Sequence, residues 1–192
     1  MILKIVYIIL TYLVGAVPFA LIVSKFKHVD LSKIGSGNLG ATNVYRALGM
    51  KYAVLVFVLD SIKGCLPVLI AIQIWDLPWY HILVGFTAII GHSLSLFAGF
   101  KGGKGAATGV GVLFAISPSI CLILGVLAAI IITATRYVAL GTITCAALVP
   151  IFLFIMNYPV EYVIGVGIVS VFVIIRHKKN IIRLVKGEEN KI

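Results

Sequence analysis

Apolar residues arrive in seven blocks, running Ile2 to Val23, Tyr52 to Ile74, His81 to Phe97, Ala106 to Ile116, Ser119 to Thr135, Leu140 to Met156 and Tyr162 to Ile175. Helix breakers fall between them, at Asp76-Leu77-Pro78, Ser117-Pro118 and Asn157-Tyr158-Pro159. At roughly 20 residues for each crossing of the bilayer, seven spans use about 140 residues and leave no room for a separate soluble domain. The first block could pass for a signal peptide. It lacks a basic leader beyond Lys4, and six further blocks follow, so it reads as a span. The fourth block is short: at 1.5 Å per residue it reaches about 16 Å, against a hydrocarbon core of about 30 Å. It therefore starts below the headgroups, and the glycine-rich turn before it must line a cavity to be tolerated there.

Composition agrees with the pattern. Of 192 residues, 61% are hydrophobic and 11% charged, where soluble domains run roughly 45–50% and 25%. A soluble fold, a disordered chain and a disulfide scaffold are excluded. The expected fold is all-α: a polytopic integral membrane protein with seven transmembrane helices, forming one domain over residues 1–192. Cys65, Cys121 and Cys145 each lie inside an apolar block without metal-ligand spacing, and read as small hydrophobes.

The net charge of +10 would point to nucleic acid in a soluble protein. Here its distribution matters more. With seven spans, 14 of the 16 basic residues fall on one side, Lys4 lies on the other, and Lys63 sits within a span. That asymmetry predicts an outside N-terminus and a cytoplasmic C-terminus, with Trp75, Trp79 and Tyr80 as an aromatic belt on the outer face. Attraction for anionic headgroups or an anionic substrate adds to this.

Three polar clusters share the basic side. The first is Gly35-Ser36-Gly37-Asn38-Leu39-Gly40-Ala41-Thr42-Asn43, followed by Arg46. Its glycines match G-x-G-x-x-G, but no strand or βαβ unit surrounds them, which discards a dinucleotide site. Converging backbone amides, neutral donors on Ser36, Asn38, Thr42 and Asn43, and a guanidinium able to grip phosphate bidentately still suit an anion. The alternative is an interfacial turn between two helices. The second cluster, Lys101-Gly102-Gly103-Lys104-Gly105, resembles a Walker A loop and fails it: the spacing from Gly99 is one residue short, and Gly105 stands where Ser or Thr must ligate magnesium. Free amides opening a helix beside lysines still favour an anion. The bland reading is a basic stop after the third span. The third cluster is Arg176-His177-Lys178-Lys179-Asn180 with Arg183 and Glu188-Glu189, which reads equally as a basic tail on anionic lipid. His92 is either a packed histidine or a catalyst, and Asp60 and Lys63, at i,i+3, neutralise one another within the bundle.

Gly35 to Arg46, Gly91-His92 with Lys101 to Gly105, and Arg176-His177 with Asn180-Ile181 and Arg183-Leu184 together resemble the three motifs of the bacterial acyl-phosphate:glycerol-3-phosphate acyltransferases. The resemblance covers essentially the whole chain. A further stretch, Thr135 to Thr142, resembles a shorter family segment, with Ala139 and Thr142 in place of serines. The resemblance implies transfer of an acyl chain from acyl phosphate to the 1-hydroxyl of sn-glycerol 3-phosphate, giving lysophosphatidate and inorganic phosphate. It implies catalytic roles for Ser36, Arg46, His92, Lys104 and Asn180, and substrate binding by Gly37, Asn38, Thr42, Asn43, Lys101, Gly102, Gly103, Gly105 and His177. It also implies no metal, no cofactor and no acyl-enzyme intermediate. Glycerol 3-phosphate, acyl phosphate and membrane lipid are then the partners, without nucleic acid or an obligate protein partner, in a bacterial inner membrane with the site facing the cytoplasm.

The residues themselves are compatible with this. No histidine has Asp five residues on, so the His-x4-Asp pair of thioester-using acyltransferases is absent. A substrate phosphate, with a second pKa near 6, offers a proton acceptor beside His92 and His177. The rivals are a transporter of organic phosphates, which should show internal repeats that this chain lacks, and a lipid-binding scaffold, which needs neither Ser36 nor Asn180.

Overall fold

Proline and glycine set where the helices stop. In the computed structural model, which describes residues 1–192, ten α-helices and two 3-10 turns account for the regular structure, with no strand. The helices are α1 (Ile2–Ala16), α2 (Phe19–Phe26), α3 (Ala41–Leu48), α4 (Met50–Ile74), α5 (Pro78–Ser93), α6 (Ala106–Ile116), α7 (Pro118–Thr135), α8 (Val138–Ile155), α9 (Val160–Arg176) and α10 (Lys178–Val185). The 3-10 turns are Leu31–Lys33 and Leu96–Ala98.

Five stretches are long and apolar enough to cross a membrane: Ile2–Phe26, Met50–Ile74, Pro78–Ala98, Pro118–Thr135 and Val138–Ile155. The count rises to six if α9 and α10, bent by 60° at His177, are taken as one stretch. The fourth expected span is a helix, but α6 has 11 residues and is no full crossing by length. The first expected span is one apolar stretch in two helices. Pro18 has no amide hydrogen and parts α1 from α2. Side chains from elsewhere take the backbone carbonyls there: Ser95 Oγ donates to Ala16 and Lys63 Nζ to Val17.

Small residues let the short helix sit deep. α6 packs most extensively on α4. A Cβ at Gly111 would overlap the Ser61 carbonyl, and one at Gly64 would overlap the Thr108 carbonyl. Ser61 Oγ donates to Ala107 O at 3.1 Å across the same seam. Such close backbone approach is how helices associate where lipid supplies no hydrophobic drive. The outward faces carry exposed Leu122, Val126, Ile130, Phe154, Val171 and Ile175, as befits a bundle solvated by hydrocarbon.

The expected aromatic belt is corrected in part. Trp79 is exposed, but Tyr80 is buried and Trp75 half-buried. Trp75 meets Tyr7 and Tyr80 edge-on, with centroids 5.1 and 5.0 Å apart. Tyr80 donates its hydroxyl to Lys4 O at 2.8 Å. Two of the three rings therefore fasten α1 to the α4–α5 turn rather than face the interface.

Candidate active site

One cavity of about 460 Å³ dominates the molecule. Ser36, Asn38, Thr42, Asn43, Arg46, Asp60, His92, Lys104, His177, Asn180 and Glu189 supply its polar wall. The remainder is apolar except for Thr142 and Ser170, and belongs chiefly to α6 through α9. α8 alone contributes Val138, Ala139, Thr142, Cys145, Ala146 and Val149, three turns that carry the cavity about 16 Å into the bundle. Polar groups thus gather at the helix ends, and a greasy slot leads away from them.

The first cluster is a folded turn ending in α3. Gly35 and Gly37 adopt φ of +55° and +68°, which L side chains resist. Asn43 is the pin: its Nδ2 donates to Leu31 O at 3.0 Å and its Oδ1 accepts from Ser36 N at 3.1 Å. Buried and so paired, Asn43 holds the turn open and leaves Ser36, Asn38 and Arg46 to the cavity.

The second cluster lies flush on the end of α5. Gly103 N donates to His92 O at 3.1 Å. A Cβ at Gly102 would strike the His92 carbonyl, and one at Gly103 would strike the His92 ring. These two glycines are required for close packing and do not line the cavity. Gly105, at φ +87°, caps α6 from the left-handed region. Lys101 is exposed, whereas Lys104 turns inward. Gly37, Lys101, Gly102, Gly103 and Gly105 are therefore near the cavity without forming its wall, while the other nine sequence-predicted site residues do form it.

A relay of hydrogen bonds crosses from the second cluster to the third. Lys104 Nζ donates to Asn180 Oδ1 at 2.5 Å, Asn180 Nδ2 donates to Glu189 Oε1 at 2.7 Å, and Arg183 Nε donates to Glu189 Oε2 at 2.7 Å. The amide of Asn180 is thereby fixed with its oxygen toward the lysine. Burial, with Arg183, Arg46 and Arg176 nearby, pulls the Lys104 ammonium down to about 8, against the opposing pull of Glu189. Arg46 is also lowered by burial, with Arg183 adding to it and Glu189 opposing. His177, at the elbow beyond α9, shares a proton with Val173 O at 2.8 Å. A carbonyl only accepts, so Nδ1 carries the hydrogen and Nε2 keeps its lone pair.

Behind this wall, in α4, Lys63 Nζ meets Asp60 Oδ1 at 2.6 Å, and both side chains are almost wholly buried. The i,i+3 spacing therefore does form the internal ion pair. His92 Nδ1 stands 3.6 Å from the same Asp60 oxygen. No cluster of three or more His, Cys, Asp or Glu side chains has metal-ligating geometry.

Two participants were not among the candidates from sequence. Glu189 reads there as tail, and Asp60 as a structural pair. The tail in fact folds back over the mouth: Arg46 Nη2 donates to Asn190 O at 2.9 Å, Ile192 N donates to Arg136 O at 3.0 Å, and Arg136 Nε donates to Ile192 O at 2.6 Å. An acid following a basic helix is the only signal in the sequence for this.

Comparison with known proteins follows the same lines. Residues 5–187 match the family model described as glycerol-3-phosphate acyltransferase. The glycerol-3-phosphate acyltransferase of Aquifex aeolicus is 44% identical over 185 residues, with 96% of each chain covered. That of Fusobacterium nucleatum is 44% identical over 188 residues, again with 96% of each covered. The crystal structure of PlsY (YgiH), an integral membrane glycerol 3-phosphate acyltransferase, in its glycerol 3-phosphate form, superposes with a TM-score of 0.95 at 43% identity, covering 98% of this chain and 95% of that one. The lysophosphatidic acid form gives 0.93 at 42% identity, with the same coverage.

Proposed function

The chain belongs to the glycerol-3-phosphate acyltransferase family, and we propose that it uses acyl phosphate as donor and works by preorganised electrostatics, without a resident metal or an acyl-enzyme. The observation that supports this most is the single cavity in which a cationic wall runs into a slot of apolar helix faces. One end suits phosphate and the other a hydrocarbon chain, and both substrates so described need the first. Donor and acceptor each bring a phosphate group, and Arg46 and Lys104 are two inward cations to receive them.

In this reading the 1-hydroxyl oxygen of glycerol 3-phosphate attacks the acyl carbonyl carbon, the bond from that carbon to the phosphate oxygen breaks, and inorganic phosphate leaves. Arg46 and Lys104 stabilise the charge that grows on the departing phosphate. Ser36, Asn38, His92, His177 and Asn180 hold the hydroxyl and carbonyl in register, Asn43 keeps Ser36 in place, and Asn180 also keeps Lys104 aimed. The remaining site glycines and Thr42 shape the turns, and Lys101 draws anions from outside. The hydroxyl proton passes to a substrate phosphate oxygen, which Arg46 and Lys104 hold beside the hydroxyl. Ser36 and Asn43 act as donors and pins and form no ester.

The chain crosses the membrane seven times in the proposed topology, with α6 as an incomplete crossing, the N-terminus outside and the C-terminus cytoplasmic. The site then faces the cytoplasm of a bacterial inner membrane. Purified protein given acyl phosphate and glycerol 3-phosphate should form lysophosphatidate with chelator present. Equal turnover from acyl-CoA, or loss of activity on chelation, overturns the donor and metal-free readings.

A further inference from the structure

We propose that Asp60, partnered by Lys63, is a positioning residue that takes the Nδ1 side of His92 and so presents Nε2 to the glycine–lysine loop and to the attacking hydroxyl. This deepens the reading above and rests on its acyl acceptor.

A buried ion pair is a poor way merely to close a bundle, because packed apolar residues of similar volume often do so as well or better. Asp60 and Lys63 are 1% and 4% exposed. Lys63 is well served, with Asp60 Oδ1 at 2.6 Å and Val17 O at 2.8 Å. Asp60 keeps acceptor capacity: its Oδ1 meets Lys63, and its Oδ2 is buried without a hydrogen-bond partner. Its carboxylate reaches the cavity wall and also a small crevice walled by Leu39, His92, Gly102 and Gly103. The next donor beside this carboxylate is His92, whose Nδ1 stands 3.6 Å from Oδ1. That distance exceeds a hydrogen bond, and catalytic contacts of this kind tighten when ligand arrives.

His92 is bound to the loop on its other sides. Its carbonyl accepts from Gly103 N, and its Nε2 lies against the Gly103 Cα, which has room for no Cβ. A carboxylate can only accept, so Nδ1 carries the proton and Nε2 is left with a lone pair. His177 reaches the same tautomer through Val173 O. Two imidazole acceptors then line one cavity, each oriented from behind by an oxygen.

Nitrogen-15 NMR of histidine-labelled protein in micelles, assigned with His92→Gln, reads the tautomer without reference to turnover. The Nδ1–H form at His92 is the expected result, and an Nε2–H form overturns the proposal. The double variant Asp60→Leu/Lys63→Met removes both charges together and leaves no orphan. It should unfold within a few degrees of the parent yet lose about 10- to 100-fold in kcat, the scale on which partners that orient a histidine act, with KM for glycerol 3-phosphate nearly unchanged. Adding His92→Gln in that background should cost little more, because the two changes remove one device. A double variant with at least half the parent kcat, or an undiminished further loss from His92→Gln, sinks the idea. If that variant does not fold, the tautomer decides. Failure of the parent to make lysophosphatidate would count against the acyl-transfer reading and leave the tautomer measurement standing.

Discussion

Lys104 donates its ammonium hydrogen to Asn180 Oδ1 at 2.5 Å, so two motifs 76 residues apart share one bond at the cavity wall. Neither residue has its orientation from its own segment. Lys104 follows a glycine run and Asn180 sits in an eight-residue helix, and each is aimed by the other and by Glu189 behind.

Substituting the inward cations should therefore be costly. Lys104→Ala and Arg46→Ala are each expected to lower turnover by about 10²–10³, the usual loss on removing a charge-stabilising donor. Arg46→Lys should not restore it, since a point charge does not replace a fork. Lys101→Ala, exposed, should cost little. Steady-state assays on protein of normal circular dichroism decide, and near-normal turnover of Lys104→Ala would reduce the loop to a helix stop.

The lowered Lys104 ammonium sets an alkaline limit. It is charged below about 8 and neutral above, whereas phosphate monoesters become dianions on passing about 6. The value of kcat/KM for glycerol 3-phosphate should rise as the pH passes about 6 and fall as it passes about 8, with bound phosphate moving the upper limb to higher pH in kcat. A flat profile to pH 10 would mean that Lys104 does not bind the anion as a cation.

Loss of a single histidine should be partial. His92→Ala and His177→Ala are expected to keep measurable turnover, because the proton goes to a substrate phosphate oxygen. Glycerol, lacking that group, should be a very poor acceptor, and added phosphite should restore part of its acylation. Complete inactivity of either well-folded variant, rescued by imidazole, would move the base onto the protein.

Reporter fusions test the topology. A reporter after residue 192 and one between residues 26 and 51 should report cytoplasm, and one between 75 and 80 the outside. Opposite locations for the first two would require a different number of crossings.

Much of this architecture is legible in the chain because hydrophobic runs and proline are local signals. Pro78, Pro118 and Pro159 lie at or beside the starts of α5, α7 and α9. The three clusters are legible for the same reason: glycine, lysine and arginine crowd short windows. What stays hidden is contact at distance. Nothing near Asp60 signals that His92 lies beside it, since helix period relates Asp60 only to Lys63. Trp75 and Tyr80 look like interface residues by type, and only the third dimension shows Tyr7 and Lys4 covering them. α3 escapes notice too, because its eight residues sit in a polar connection with no apolar run. Glycine is read ambiguously for a related reason. Gly102 and Gly103 suggest an anion cradle by composition, yet they are small because His92 leaves no space.

The short α6 makes the lipid part of the enzyme. In the proposed topology α6, at 11 residues and about 16 Å, hangs the Lys104 loop at a depth that its seam with α4 sets. A thicker bilayer cannot be met by lengthening that helix, so the mismatch must be relieved by local thinning or by drawing water toward the loop. Turnover in vesicles graded by acyl length thus becomes a gauge of membrane thickness, and a cell that remodels its lipids retunes this protein without touching a single residue.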